Sequence, residues 1–196
     1  MAQDASLGSV LDGRLGQARA AVRALEERAA DVHAVMDAVR TTLAGGGTLF
    51  TCGNGGSAAE ALHLAEELTG RYRSNRPPLR SVCLCADPTA LTCIANDFGF
   101  EQVFARPLTA LGRRGDAIAV FSTSGRSANL VAALGAARTC GMRTIGLLGG
   151  DGGACLPLCD VAVTVSGVDG AAVQEAHQMV MHAICECLED GAPSRA

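Results

Sequence analysis

Apolar residues recur at spacings of three and four near the start of the chain, and few helix-breaking residues interrupt them after Gly16. An α-helix has about 3.6 residues per turn, so this spacing gathers the apolar side chains on one face. We therefore predict a long amphipathic N-terminal helix that packs on a sheet or on a neighbouring subunit. The residues that define the stripe are Leu15, Ala18, Val22, Leu25, Ala29, Val32, Val35, Met36 and Val39.

Five short apolar runs follow this helical segment, each separated from the next by turn residues and a helical pattern. Nearly continuous apolar runs are typical of parallel strands that are covered on both faces. The alternation of strand and helix predicts an α/β fold, a doubly wound three-layer sandwich around a five-stranded parallel sheet. The predicted strands are 48–52, 81–85, 117–122, 144–148 and 161–165, and the predicted helices between and after them are 57–69, 89–96, 127–140 and 174–188.

The length of 196 residues and the hydrophobic content of 48% suit one compact domain with a sizeable core, and exclude a disordered protein. We expect an N-terminal helical segment over 1–45, one domain over 46–190 and a disordered tail over 191–196. The chain has 16 basic and 20 acidic residues without a basic block, so we expect no nucleic-acid partner.

Two features of the sequence bear on cellular setting. The chain has no apolar run of about 18 residues and no secretory pattern at its start, so we expect neither a membrane span nor export. Its nine cysteines are scattered without a CxxC pair and fall mostly in apolar runs, where free thiols pack as small core residues in a reducing compartment. These features favour the cytoplasm.

Two loops rich in glycine and hydroxyl residues follow predicted strands and open predicted helices: GNGGS after the first strand and STSGRS after the third. Glycines let an anion approach the backbone, and a helix N-terminus offers free N–H groups. Each loop alone is equally typical of an ordinary turn and helix cap. Because both loops lie at the carboxyl ends of strands, where such sheets bind ligands, together they favour a phosphorylated ligand.

A dinucleotide is an alternative ligand for the first loop, because Gly53, Gly55 and Ala58 satisfy GxGxxA. That fingerprint also needs an acidic residue about 20 positions further on. The nearest candidate, Asp87, comes later than this, and a nicotinamide cofactor leaves the second loop unexplained. We therefore rank this alternative low.

The two loops occur in order with HLAEELTGRY and NDFGF between them and QEAH after them. This set of motifs resembles SIS (sugar isomerase) domains, and among them phosphoheptose isomerases, over roughly residues 40–190. The resemblance implies the SIS fold and a ketose–aldose isomerase that converts sedoheptulose 7-phosphate to an aldoheptose 7-phosphate through an enediol. It favours the D-glycero-D-manno product, although a planar enediol leaves the manno and altro epimers at C2 both open.

The resemblance also implies an acid–base pair and a metal site. His63 and Glu67 share a helix face by their spacing of four, and from the residues alone a packed or solvated polar pair is the simpler interpretation. By resemblance, Glu67 is the general base and His182 the general acid. The same comparison implies one zinc ion per active site, held by His63, Glu67, Gln174 and His182.

The substrate-binding residues are likewise implied by resemblance. The hydroxyl loops are expected to hold the phosphate, Arg71 and Asp97 to contact the sugar hydroxyls, and Gln174 to serve the substrate as well as the metal. His177 and Gln178 fall on no family motif and are interpreted as structural. The residues assigned to the phosphate loops are Asn54, Gly55, Ser57, Ser122, Thr123, Ser124 and Ser127.

The resemblance further implies a homotetramer with active sites between subunits. Two non-catalytic alternatives within the fold are a scaffold for a replication initiator and a sugar-phosphate sensor, neither of which needs Glu67 and His182. Both residues are present, which favours the enzyme. Two departures from the family pattern, Arg126 in the second loop and GVDGAAV before Gln174, leave the contacts to the sugar open.

Overall fold

The computed structural model describes residues 7–189, so the tail predicted over 191–196 lies outside the described part. Five strands form one parallel sheet in the order β2-β1-β3-β4-β5. All five predicted strands are confirmed, with ends shifted by at most two residues. The strands are β1 (Leu49–Gly53), β2 (Ser81–Cys83), β3 (Ala117–Ser122), β4 (Arg143–Gly149) and β5 (Val161–Val165).

Seven α-helices and two short 3-10 turns connect and flank these strands in the described chain. The long N-terminal helix is confirmed as α1, and the apolar pattern continues into α2 after a break at Arg28. Helix α5, with only seven residues, was not predicted because so short a segment shows no clear periodicity. The helices are α1 (Leu7–Glu27), α2 (Ala29–Ala44), α3 (Gly56–Thr69), α4 (Pro88–Phe98), α5 (Ala105–Leu111), α6 (Ala128–Thr139) and α7 (Gly170–Glu189).

Helices cover both faces of the sheet, as a doubly wound fold requires. On one face, side chains of α2, α3 and α7 pack with Leu49 and Phe121, and on the other, side chains of α5 and α6 pack with Phe50 and Ile118. Successive residues of a strand point to opposite faces, so Leu49 and Phe50 enter different cores. Every residue of β1 and β3 is buried, which explains the unbroken apolar runs in the sequence.

The sheet order fixes where a ligand can enter. The chain moves from β1 outward to β2 and then returns to place β3 on the other side of β1. The loops after β1 and β3 therefore diverge and leave a crevice at their carboxyl ends. Both loops singled out in the sequence meet at this crevice. In residues 7–189, no helix combines the length and the apolar character that crossing a bilayer would require.

Candidate functional site

A small polar cavity of about 70 Å³ lies in the crevice between β1 and β3. We call it the hydroxyl pocket. Its lining combines both predicted phosphate loops with one residue of α7, and no charged side chain lines it. Seven of its eight lining residues belong to the predicted site, and Phe121 is the addition. The lining residues are Asn54, Ser57, Phe121, Ser122, Thr123, Ser124, Ser127 and Gln174.

The second loop is a tight turn that its own hydroxyls hold in place. The backbone N–H of Gly125 donates to Ser122 Oγ at 2.9 Å, and that of Arg126 donates to Ser124 Oγ at 3.3 Å. Each hydroxyl accepts a bond with its oxygen and keeps its O–H to donate to a ligand. The turn thus presents oriented donors to the pocket without a positive charge.

The first loop is tied to the start of α6 by a pair of side-chain amides. Asn54 Nδ2 donates to Asn129 Oδ1 at 3.0 Å, and Asn129 Nδ2 donates to Asn54 Oδ1 at 2.8 Å. Asn129 is buried and was not singled out in the sequence, although it ends the STSGRSAN motif. The reciprocal pair holds the two loops in register across the pocket.

Helix α3 begins at the pocket and approaches α7 closely there. Gly55 has a positive φ of 56°, which lets the chain turn directly from β1 into the helix. A Cβ on Gly56 would collide with the side-chain amide of Gln174. Gln174 therefore closes the pocket beside the first turn of α3.

About two turns further along α3, a second polar group joins α3 to α7. His63 Nε2 lies 3.1 Å from Glu67 Oε1, and Gln178 Nε2 lies 2.5 Å from His63 Nδ1. The His182 ring meets the His63 ring edge to face at 5.6 Å, and Tyr72 stacks on His182 at 5.7 Å. We call these five residues the histidine cluster. It contains the predicted acid and base.

The donor chemistry of this cluster fits a zinc ion. Ligand atoms of His63, Glu66 and Glu67 lie within 4.8 Å of one another, and imidazole and carboxylate are ordinary zinc ligands. The predicted ligand Gln174 lies apart, because its eight-residue separation from His182 corresponds to about 12 Å along α7. Within one chain, the structure thus brings the ligand atoms of two of the four predicted metal ligands, His63 and Glu67, together, and the ring of the third, His182, lies beside His63.

The two residues predicted to contact the sugar do not reach the pocket within one chain. Arg71 and Asp97 are both exposed, and neither is a lining residue in the described chain. Asp97 accepts a hydrogen bond from its neighbour Asn96 at 2.7 Å. Arg126, the departure in the second loop, pairs with exposed Asp151 at 2.6 Å.

Asp87, the acidic residue considered for a dinucleotide, has a structural task. Its carboxylate accepts the backbone N–H groups of Thr89 and Ala90 at 2.9 and 3.0 Å. It therefore caps the N-terminus of α4.

A buried acidic residue and a buried histidine lie between the hydroxyl pocket and the histidine cluster, one on α3 and one on α7. Glu60 Oε2 and His177 Nδ1 are 4.0 Å apart, and both side chains are almost fully buried. Burial raises the pKa of the Glu60 carboxyl to about 7, against an opposing effect of the Ser57 hydroxyl. Burial lowers the pKa of His177 to about 4. Both groups are therefore uncharged in mildly acidic solution.

Comparisons with known proteins find a matching family model and several similar proteins. Residues 15–149 match the family model of the SIS domain. A phosphoheptose isomerase of Helicobacter pylori (strain P12) is 47% identical over 148 residues, which cover 76% of this chain and 77% of that protein. A phosphoheptose isomerase of Roseiflexus sp. (strain RS-1) is 44% identical over 167 residues, 85% of either chain.

Solved structures show the same similarity over a longer stretch. The phosphoheptose isomerase GmhA from Neisseria gonorrhoeae has a TM-score of 0.88 and 36% identity, covering 94% of this chain and all of that one. A phosphoheptose isomerase from Francisella tularensis has a TM-score of 0.87 and 28% identity, covering 95% and 99%.

Proposed function

The chain belongs to the phosphoheptose isomerase family of SIS-domain enzymes, and on this premise we propose that it converts sedoheptulose 7-phosphate to D-glycero-D-manno-heptose 7-phosphate. The observation that carries the proposal is the hydroxyl pocket at the point where the sheet order reverses. Its O–H and N–H donors and the N-terminus of α3 suit a phosphate group. No Lys or Arg side chain of the described chain lines the pocket, so it attracts the phosphate less strongly than a cationic site would. This suits an enzyme whose product must dissociate after each turnover.

Isomerisation moves a proton from C1 of the ketose to C2 of the aldose. In our proposal Glu67 removes the proton from C1 while His182 protonates the oxygen on C2, which gives the enediol. Return of a proton to C2 and loss of the proton from the C1 hydroxyl complete the reaction. A carboxylate and an imidazole held on adjacent helices can divide these tasks, because the carboxylate can accept a proton and the imidazolium can donate one.

Zinc is part of the proposal, held by His63 and Glu67 with His182 beside them. When bound, it would polarise the oxygens of the substrate as a Lewis acid. Glu67 can serve as ligand and base only if its two oxygens are divided between the tasks. In the metal-free chain, Oε1 lies 3.1 Å from His63 Nε2, which leaves Oε2 free to accept the proton.

We also propose that the enzyme is a homotetramer whose active sites combine residues of different subunits. Gln174 lines the hydroxyl pocket, whereas His182 lies in the histidine cluster about two turns further along α7. Arg71 and Asp97 face outward, where a neighbouring site could use them. The apolar stripe of α1 remains exposed, with Leu11 at 59% and Leu15 at 43%, and offers a surface for association.

A cytoplasmic setting completes the proposal, because all nine cysteines are free thiols and four of them are buried. Free thiols persist in reducing compartments.

The activity is tested by proton NMR of sedoheptulose 7-phosphate incubated with the purified protein, with and without added zinc. We expect new anomeric signals of an aldoheptose phosphate, whose couplings identify the configuration at C2. No new signal under either condition, from a folded and assembled protein, would overturn the proposal.

A further inference from the structure

The side chain of Gln178 occupies a central position that the reaction so far leaves unused. It lies on α7 one turn after Gln174 and one turn before His182, on the side that meets α3. Its amide nitrogen lies 2.5 Å from His63 Nδ1. In the sequence, Gln178 falls on no motif and is interpreted as structural.

With the amide of Gln178 in this orientation, the contact fits one tautomer of His63. An amide nitrogen can only donate, so Nδ1 must accept and therefore carries no proton. A neutral imidazole then has its proton on Nε2, and Nε2 lies 3.1 Å from Glu67 Oε1. The three side chains form one directed chain of hydrogen bonds, from Gln178 through His63 to Glu67.

The direction of this chain matters for Glu67. A carboxylate with one oxygen engaged by an imidazole N–H cannot rotate freely, so its second oxygen is held in a defined direction. The chain also crosses from α7 to α3. It therefore links the helix that carries His182 to the helix that carries Glu67.

The same amide can serve the other tautomer. A metal ion at Nε2 needs the lone pair of that nitrogen, and the ring proton must then lie on Nδ1. When the side-chain amide of Gln178 flips, the Oε1 of Gln178 replaces the Nε2 of Gln178 beside His63 and can accept the proton on His63 Nδ1. An apolar side chain at position 178 could support neither state.

We propose that Gln178 is a positioning residue that holds His63 through Nδ1. In the metal-free chain it orients Glu67 by way of His63, and when zinc is bound it supports His63 as a ligand. The assignment of tasks to His63 and Glu67 rests on the function proposed above. The hydrogen-bond chain and its effect on metal affinity do not depend on turnover, so they are measured separately.

The first test determines the tautomer of His63 in the metal-free protein by long-range proton–nitrogen NMR of labelled histidine, near pH 8.5, where ordinary imidazoles are neutral. His63→Gln identifies the signal. We expect the Nε2–H form in the unsubstituted protein and a mixture of forms in Gln178→Met, which keeps the side chain's length without its amide. A dominant Nδ1–H form, or a spectrum that Gln178→Met leaves unchanged, would overturn the proposal.

The second test measures zinc affinity by competition with a chelator. Loss of a hydrogen-bond partner behind a metal-binding histidine weakens binding by about 10-fold to 100-fold, and we expect at least about 10-fold for Gln178→Met. Gln178→Glu restores an acceptor and should recover the affinity, which also covers the case in which the methionine variant fails to fold. Gln102→Met, a matched change outside the site, should have no effect. Equal affinity in all variants would contradict the proposal.

The third readout separates this proposal from the function itself. In an active enzyme, Gln178→Met should lower kcat by about 10-fold with little change in KM, because the phosphate pocket is untouched. If the unsubstituted protein shows no isomerase activity, the proposed function fails, while the tautomer and the zinc affinity still decide the task of Gln178.

Discussion

Among single residues, Glu67 has the most tasks in the proposed reaction, because it is both the proposed base and a proposed zinc ligand. Its side chain is mostly buried, accepts from His63 through one oxygen and lies on the helix that begins at the hydroxyl pocket. A base must keep an oxygen free for the substrate, and the hydrogen bond from His63 decides which one stays free. We therefore expect the reactivity of Glu67 to depend on how its carboxylate is oriented, because glutamate is itself an ordinary residue type.

Glu67→Gln tests this role. Glutamine keeps the size of the side chain and can still accept from His63, but it cannot take a proton from C1. We expect kcat to fall by about 10²-fold to 10⁴-fold, with an unchanged melting temperature and retained binding of the sugar phosphate. The control is Glu101→Gln, an exposed carboxylate that belongs neither to the lining of the hydroxyl pocket nor to the histidine cluster. Activity near that of the unsubstituted enzyme would exclude Glu67 as the base.

The buried pair Glu60–His177 predicts a pH effect on stability. Folded Glu60 keeps its proton up to about pH 7, against a usual pKa of 4.5, so the free energy of unfolding falls as the pH rises through this window. Folded His177 stays neutral down to about pH 4, against a usual 6.5, so the free energy of unfolding falls as the pH drops through that window. The two slopes oppose each other where the windows overlap.

Glu60→Gln removes one of these slopes. We compare the free energy of unfolding of Glu60→Gln with that of the unsubstituted protein at each pH. We expect the difference to favour Glu60→Gln by about 2–3 kcal/mol more at pH 8 than at pH 5, because the variant has no carboxylate to ionise in the buried site. Urea unfolding at both pH values measures the change, with Glu101→Gln again as the exposed control. If the difference in free energy of unfolding between the two proteins stays constant with pH, burial does not raise the pKa of Glu60.

At the scale of structural elements, the loop after β3 decides how the phosphate donors are presented. Gly125 has a φ of 62°, and a Cβ there would collide with the carbonyl of Gly152. The loop after β4 thus packs directly on the turn that holds Ser122 and Ser124. Only glycine allows both the conformation and the contact.

Gly125→Ala should therefore deform the hydroxyl pocket. We expect a loss of about 1–3 kcal/mol in stability and a clear rise in KM for the sugar phosphate. Gly135→Ala is the matched control, because Gly135 lies within α6 with nothing near a Cβ, and alanine there should stabilise the helix by up to about 1 kcal/mol. If the two variants bind the substrate equally well, the loop does not form the phosphate site.

The order of strands and helices could be predicted because β1, β3 and their flanking helices have strong apolar patterns. The hydroxyl pocket could be predicted because its donors sit at strand ends, which a parallel sheet brings together. The contacts across helices could not be predicted in the same way. Gln174 and Gln178 lie one helical turn apart on α7, so the spacing in the sequence does not distinguish their roles. Only the packing of α7 on α3 shows that Gln178 reaches His63.

At the scale of the whole molecule, the predicted site residues fall into two groups within one chain. The hydroxyl pocket and the histidine cluster lie at different heights along α3 and α7, and several apolar side chains at the start of α1 stay exposed within residues 7–189. Leu7 is 91% exposed, and Leu11 and Leu15 continue the same face. These features are the basis of the proposal that the complete site forms by association.

Leu11→Glu tests the dependence of activity on assembly. A charge in the apolar stripe should disfavour association, so we expect smaller particles in sedimentation velocity and at least about a 10-fold loss of isomerase activity. Gly13→Glu places the same charge on the far side of α1, where a side chain meets nothing within the chain, and should leave assembly intact. Full activity in a monomeric Leu11→Glu protein would contradict the shared site.

The measurement that tests the central claim most directly is turnover of sedoheptulose 7-phosphate in deuterated water, followed by proton NMR at C2 of the product. Proton transfer through an enediol and a base that exchanges with solvent predicts an aldoheptose phosphate with deuterium at C2, and no product with Glu67→Gln. A product that keeps its hydrogen at C2 entirely, or a folded and assembled protein that forms no product, would contradict the account.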